Sequence, residues 1–231
     1  MTTPVTHFDH YSDNYDDALA ESLAVTGEDK DFFARGRIHW LSRCLNQLQF
    51  RPMAALDFGC GIGSTTPHLL EMLQAESVLG VDVSRKSLKI AVEKFGSDRT
   101  RFASLNDYNA RGEIDLAYTS GVFHHIDKAQ RASALNLIYR ALRSGGIFAF
   151  WENNPWNPGT RYVMSRCEFD KDAMTLTPFA ARRLLKNCGF EVVRTDYLFI
   201  FPRQLRWFRP LEQNLSGLPL GGQYQILCRK P

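Results

Sequence analysis

Three short stretches concentrate the residues able to do chemistry. Gly59-Cys60-Gly61-Ile62-Gly63 follows Asp57, where an apolar run turns abruptly into a helical pattern. Glycines there permit positive φ and let a ligand approach the backbone closely. The helix start beyond them offers free N–H groups to an anionic or polar ligand. Asp82, at the end of the next apolar run and followed by Val83, is placed to accept hydrogen bonds from ribose hydroxyls. The turn is G-x-G-x-G, with Ser64 and Thr65 after it, and not the G-x-G-x-x-G of dinucleotide folds. Glycine turn and acid together mark a nucleoside site; without a ligand, the same turn is simply a tight strand-to-helix connection.

The second stretch is SGVFHHI, residues 120–126, in which Ser120 and two histidines follow an apolar run. Imidazole titrates near neutral pH, so His124 and His125 are base candidates. Successive side chains of an extended chain point to opposite sides, so both cannot face one cleft. His125 is preferred as the base, with His124 a substrate contact; alternatively one packs and the other shapes the loop. The third stretch, FAFWENNPWNP, runs a hydrophobic segment straight into Glu152, Asn153 and Asn154, then Pro155, Trp156 and Pro158. A carboxylate and two amides can bind hydroxyl or amino groups of an acceptor, with Glu152 as a second catalytic candidate. They can equally satisfy a turn locally. No metal is expected, because adjacent histidines with no third ligand at helical spacing do not make a zinc site. The five scattered cysteines form no C-x-x-C pair and read as reduced thiols.

The elements that must position these groups follow from periodicity. Short apolar runs (AALDF, SVLGVDV, RFASL, IDLAYTS, GIFAFW, EVVRTDYLFIF, QYQILC) alternate with amphipathic segments such as SRKSLKIAVEKF and TPFAARRLLKNCGF. This pattern predicts an α/β fold, a doubly wound, mostly parallel seven-stranded Rossmann-like sheet with helices on both faces. A helix is predicted over residues 31–47, with an acidic, aromatic segment before it. Residues 1–50 are read as this segment and helix, a candidate lid that uses Tyr11 or Tyr15. Residues 51–231 are read as one domain with an aromatic and basic insertion at about 198–222. The longest apolar runs fall far short of the ~20 residues that span a bilayer. The polar N-terminus carries no export signal, which favours a cytoplasmic location. A net charge of +3 gives no reason to expect nucleic acid.

Asp57-Phe58-Gly59-Cys60-Gly61-Ile62-Gly63, with Asp82, SGVFHHI and the LRSGG turn before the fifth strand, resembles the class I S-adenosylmethionine-dependent methyltransferases. The resemblance covers roughly residues 50–200. It implies S-adenosylmethionine as cofactor, its methionine part over the Gly59–Gly63 loop and its ribose at Asp82. It places the adenine near Asn106 or Asp107, Ser120 against the cofactor, and the acceptor along the ends of strands four and five. The implied activity is in-line methyl transfer to oxygen or nitrogen of a small-molecule or lipid-linked acceptor. A non-catalytic cofactor-binding protein is the alternative. A nucleic-acid methyltransferase is disfavoured, because SGVFHHI stands where those enzymes carry N/D-P-P-Y/F/W. Between residues 197 and 224, Arg203, Arg206 and Arg209 are interleaved with Phe199, Phe201, Trp207 and Phe208. The simplest expectation is a connection whose aromatics finish the core. The next is a lid over an apolar or phosphate-bearing acceptor, with Arg203, Arg206, Trp207 and Phe208 touching an anionic membrane surface.

Overall fold

The computed structural model describes residues 22–167, 170 and 173–231. Tyr11 and Tyr15 lie outside the described residues. Seven strands form one sheet: β1 (Ala54–Phe58), β2 (Ser77–Asp82), β3 (Thr100–Ser104), β4 (Ile114–Ser120), β5 (Leu142–Asn153), β6 (Glu191–Leu198) and β7 (Gln223–Arg229). Their order is β3-β2-β1-β4-β5-β7-β6. The first five pair in parallel, and β7 runs antiparallel to both β5 and β6. The helices are α1 (Lys30–Gln47), α2 (Thr66–Met72), α3 (Arg85–Phe95), α4 (Lys128–Ala141), α5 (Pro158–Arg166), α6 (Pro178–Asn187) and α7 (Glu212–Leu215), with a 3-10 helix at Arg203–Leu211.

The helix starts carry their own signals. Asp29 accepts from Phe32 N at 2.8 Å at the head of α1. Ser84 caps α3 by accepting from Ser87 N at 3.1 Å. Thr177 accepts from Ala180 N at 3.3 Å, just before Pro178 opens α6. Each removes one unpaired N–H from a helix end.

β5 shows why the central strands read as continuous apolar runs. Phe148 and Phe150 enter the core beneath α4 and α6. Ile147, Ala149 and Trp151 enter the opposite core beneath α1 and α2. A strand buried on both faces has no polar side to alternate with. The LRSGG segment belongs to β5 and is not a separate turn. Leu142 pairs with Ile114, then pairing resumes at Ile147 with Leu116, so the residues between bulge outward.

The sheet order reverses between β1 and β4, and ligands of open α/β sheets bind outside the strand ends at such a point. The 3-10 helix departs from the simplest expectation for its segment. Trp207 is 68% exposed and Phe208 is also exposed. Arg203 donates to Gly27 O at 3.2 Å and Arg209 to Glu28 Oε1 at 2.8 Å. These contacts bind one side of the segment to the residues before α1 and leave Trp207 in solvent. Phe199 and Phe201, half-buried, turn inward instead. Among the described residues, no helix is long and apolar enough to cross a membrane.

Candidate active site

Two cavities open at the carboxyl edge of the sheet. The larger, about 740 Å³, is bordered by Asp57, the Gly59–Gly61 turn, Asp82 with Val83, and Asn106. Gly59 and Gly61 have φ of 75° and 53°. A Cβ on Gly59 would lie 2.5 Å from Val122 Cγ2, whereas one on Gly61 would meet nothing within 4 Å. The first glycine is therefore required by packing, and the second leaves backbone open to the cavity. Gly63, with φ of 79°, takes the close-packing role: a Cβ there would fall 2.8 Å from Ala91 and 2.9 Å from Phe102.

Asp57 is 3% exposed and accepts from Thr66 Oγ1 at 2.7 Å. Burial pushes its carboxyl up to about 7, with the Thr66 hydrogen bond opposing and the Asp82 charge adding to the rise. A buried acid held this far up favours a cationic neighbour. Asp82 accepts from Gly61 N at 2.8 Å and from Ser84 N at 2.9 Å, tying the glycine turn to the end of β2. The Cys60 thiol lines the same cavity and is pushed up by burial and by the Asp57 and Asp82 charges, so it stays protonated. Of the two candidates after β3, Asn106 lines the cavity. Asp107 is 67% exposed at its side chain and pairs with Arg85 at 3.5 Å.

The smaller cavity, about 420 Å³, has an aromatic wall of Phe32, Phe33, Phe199 and Phe201. Phe199 packs 5.0 Å from Phe33 and 6.1 Å from Phe32, centroid to centroid. Its φ of 62° is a left-handed conformation that a bulky residue adopts only when held there. Glu212 holds it, accepting from Phe199 N at 3.1 Å and Phe201 N at 2.9 Å. Arg209 closes the rim, its guanidinium 4.5 Å over the Phe32 ring. Ser120, Gly121, His125, Lys30 and Arg37 border both cavities and form the neck between them.

His125 sits at this neck and His124 borders only the smaller cavity, so against the alternation expected of an extended chain both rings face one chamber, under a network that β5 supplies. By strand alternation Glu152 shares the face of Phe148 and Phe150 and turns beneath the loop after β4. It is 2% exposed, accepts from Phe123 N at 2.7 Å, and lies 2.5 Å from His124 Nδ1. Asp170, from the connection after α5, lies 3.4 Å from the Nε2 atoms of both His124 and His125. Met174 N donates to His124 O at 2.8 Å, and buried Arg131 donates to Ile126 O and Met174 O, which locks that connection to the histidine loop. Burial by itself lowers the basicity of His124, but the Glu152 and Asp170 carboxylates overcome it and raise it to about 10.

The expected acceptor residues therefore separate. Asn153 faces the smaller cavity and accepts from Gln223 Nε2 at 3.2 Å. Glu152 is occupied by Phe123 and His124 and does not border either cavity. Asn154 is fully buried, donating to Pro219 O at 3.2 Å and Gly221 O at 2.8 Å, so it fastens the β6–β7 connection. Trp156 is 41% exposed, packs on Phe179 at 5.4 Å, and lies outside both cavities. Lys171 and Asp172, which neighbour Asp170 in the same connection, lie outside the described residues. Arg37 went unnoticed in the sequence. It donates to Tyr118 OH at 3.0 Å and Gln223 Oε1 at 3.1 Å, bridging α1, β4 and β7 at the neck. Its signal was the spacing Lys30, Ala34, Arg37, one face of α1, all bordering the larger cavity.

Fold and site together define an α/β protein with a nucleoside-sized cleft at its switch point and a second chamber joined to it. A methyltransferase domain model matches residues 56–148. An uncharacterized methyltransferase of Synechocystis sp. is 32% identical over 182 residues, 75% of this chain and 79% of that protein. The chain belongs to the class I S-adenosylmethionine-dependent methyltransferases, and its cofactor is S-adenosylmethionine. The sterol 24-C-methyltransferase of Saccharomyces cerevisiae is 25% identical over 186 residues, covering 71% of this chain; the chain spans only 47% of that enzyme's length. An S-adenosylmethionine-dependent methyltransferase structure from Thermotoga maritima shares the fold with a TM-score of 0.67 at 18% identity, covering 97% of this chain and 98% of that one.

Proposed function

We propose that the larger cavity holds S-adenosylmethionine and the smaller one a small-molecule or lipid-linked acceptor, methylated in line at oxygen or nitrogen. Asp57, Gly59, Cys60 and Gly61 serve the methionine part, Asp82 and Val83 the ribose, and Asn106 the adenine, while Gly63, expected as a further cofactor contact, does not border the cavity and instead lets the turn pack on Ala91 and Phe102. The open backbone at Gly61 and the buried Asp57 carboxyl, raised to about 7, suit a cationic cofactor. The observation that carries the reading is the shared neck: Ser120, Gly121 and His125 border both cavities. Two reactants that meet there are held in alignment, which can supply about 7–11 kcal/mol of a displacement barrier.

His125 is the group at the neck placed to manage the acceptor's proton, while His124 positions the loop from beneath. The aromatic wall favours an apolar acceptor, and a sterol methyltransferase among the relatives supports that class. Exposed Trp207 and Phe208 beside Arg203 and Arg206 lie on the segment that also contributes Phe201 and Arg209 to the cavity. On this reading, an anionic membrane surface docks against that segment and delivers the acceptor.

The test supplies methyl-labelled S-adenosylmethionine with amphiphiles that carry hydroxyl or amino groups, in the presence and absence of anionic vesicles. Label should enter the organic phase, and Phe33→Trp, which narrows the acceptor chamber, should reduce transfer with cofactor affinity unchanged. Labelling of RNA or protein alone, or indifference to Phe33→Trp, would refute the acceptor assignment.

A further inference from the structure

Beside the neck, two imidazoles and a carboxylate converge from two separate parts of the chain. His124 and His125 come from the loop after β4, and Asp170 from the connection after α5. Their ligand atoms all lie within 4.8 Å of one another. The separations from Asp170 Oδ1 to His124 Nε2 and to His125 Nε2 are both 3.4 Å. Metal–ligand bonds of about 2.0–2.2 Å at tetrahedral angles place neighbouring ligand atoms about 3.4 Å apart. Two edges of a coordination polyhedron are therefore already set. The third, between the two imidazoles, lies within 4.8 Å, and rotation of the His125 ring, the less buried of the two, would close it.

A second observation concerns the far side of His124. Glu152 Oε2 lies 2.5 Å from Nδ1, and its other oxygen is fixed by Phe123 N. A carboxylate on one ring nitrogen fixes the ring and aims the other outward, the arrangement that accompanies most metal-bound histidines. Glu152 is itself almost fully buried, so this orientation is rigid.

We propose that His124, His125 and Asp170 bind a divalent transition-metal cation of the zinc or iron(II) class, with Glu152 as the outer partner of His124. Two imidazoles and one carboxylate suit borderline cations better than calcium or magnesium. Three protein ligands leave coordination positions open, as in metal sites that act on substrates. The open positions face the neck, where an acceptor's hydroxyl, enol or phosphate oxygen would bind. That last role rests on the methyl-transfer reading; the metal site does not. Were an ion held there, His125 would serve as its ligand and not as a base, and the cation would supply the polarisation of the acceptor's oxygen.

The test uses the full chain after treatment with a chelator and its removal, without cofactor or acceptor. Cobalt(II) is titrated and followed by its visible ligand-field bands, and zinc(II) by calorimetry and competition with cobalt. One cation per chain is expected, with His125→Ala and Asp170→Asn each weakening affinity at least tenfold. Circular dichroism and thermal melting confirm that these less buried variants remain folded; if one fails to fold, the other and His125→Gln carry the comparison. No binding at millimolar metal, or binding that survives both substitutions unchanged, overturns the site. Stoichiometric metal binding by a chain that, in the separate labelling assay, transfers no methyl group to any amphiphile would instead fault the acceptor reading and leave the metal site standing.

Discussion

Cofactor binding should depend on pH through Asp57. The free protein holds this carboxyl at about 7 because it is buried beside Asp82. A cationic cofactor in the cavity favours the ionised form and returns the group to the ordinary carboxylate range near 4. Below pH 7, binding must then expel a proton, so affinity falls as pH falls. Between pH 7.0 and 5.5 the dissociation constant should weaken about 15-fold, or about 1.6 kcal/mol at about 1.4 kcal/mol per tenfold. This window avoids the titration of an α-amino group on the cofactor. Calorimetry in two buffers of different ionisation enthalpy should find about one proton released at pH 5.5 and about half of one at pH 7.0. Asp57→Asn should remove both the slope and the proton release. A flat affinity across this window in the unaltered protein would refute the reasoning. The same shift has the opposite sign for the unliganded fold: a raised acid stabilises it below the unfolded value near 4, and that stability is lost as pH rises through 7.

Two further perturbations separate packing from binding. Glu152→Gln leaves one acceptor atom where Phe123 N and His124 Nδ1 present two donors, so an N–H is stranded beside an amide NH2. Breaking a buried pair of this kind costs about 3–5 kcal/mol, which should appear in differential scanning calorimetry as a loss of roughly 10 °C. Gly61→Ala and Gly63→Ala should diverge. The Gly61 Cβ points into open cavity, so cofactor affinity should fall at least tenfold with little change in melting beyond the left-handed penalty. The Gly63 Cβ collides with Ala91 and Phe102, so stability should drop by about 1–3 kcal/mol in urea denaturation.

The alternation of apolar runs with amphipathic segments made the parallel sheet legible, because each run had to be buried on both faces. The glycine turn and Asp82 were legible for the same reason of placement: both stand at strand ends beside the reversal of strand order. What resisted reading was direction. Glu152, Asn153 and Asn154 are adjacent in sequence, yet one turns under the β4 loop, one faces a cavity and one fastens the β6–β7 connection. Strand alternation from Phe148 and Phe150 already implied that Glu152 would turn toward the core beneath α4. Asp170 was illegible as a partner of the histidines, because only the tertiary path of the connection after α5 brings it there. Trp207 and Phe208 resembled core residues in composition, and the contacts of Arg203 and Arg209 hold them in solvent.

The insertion of β7 antiparallel between β5 and β6 separates inheritance of the two chambers. The segment matched by the family model, residues 56–148, furnishes most of the cofactor cleft. The aromatic wall of the other chamber comes from α1 and from the hairpin-like return between β6 and β7. Both ends of that return are anchored in the sheet, at Leu198 and Gln223, which pair with each other. A grafted loop of different length between Leu198 and Gln223 should therefore reshape the aromatic chamber while leaving the larger cavity untouched.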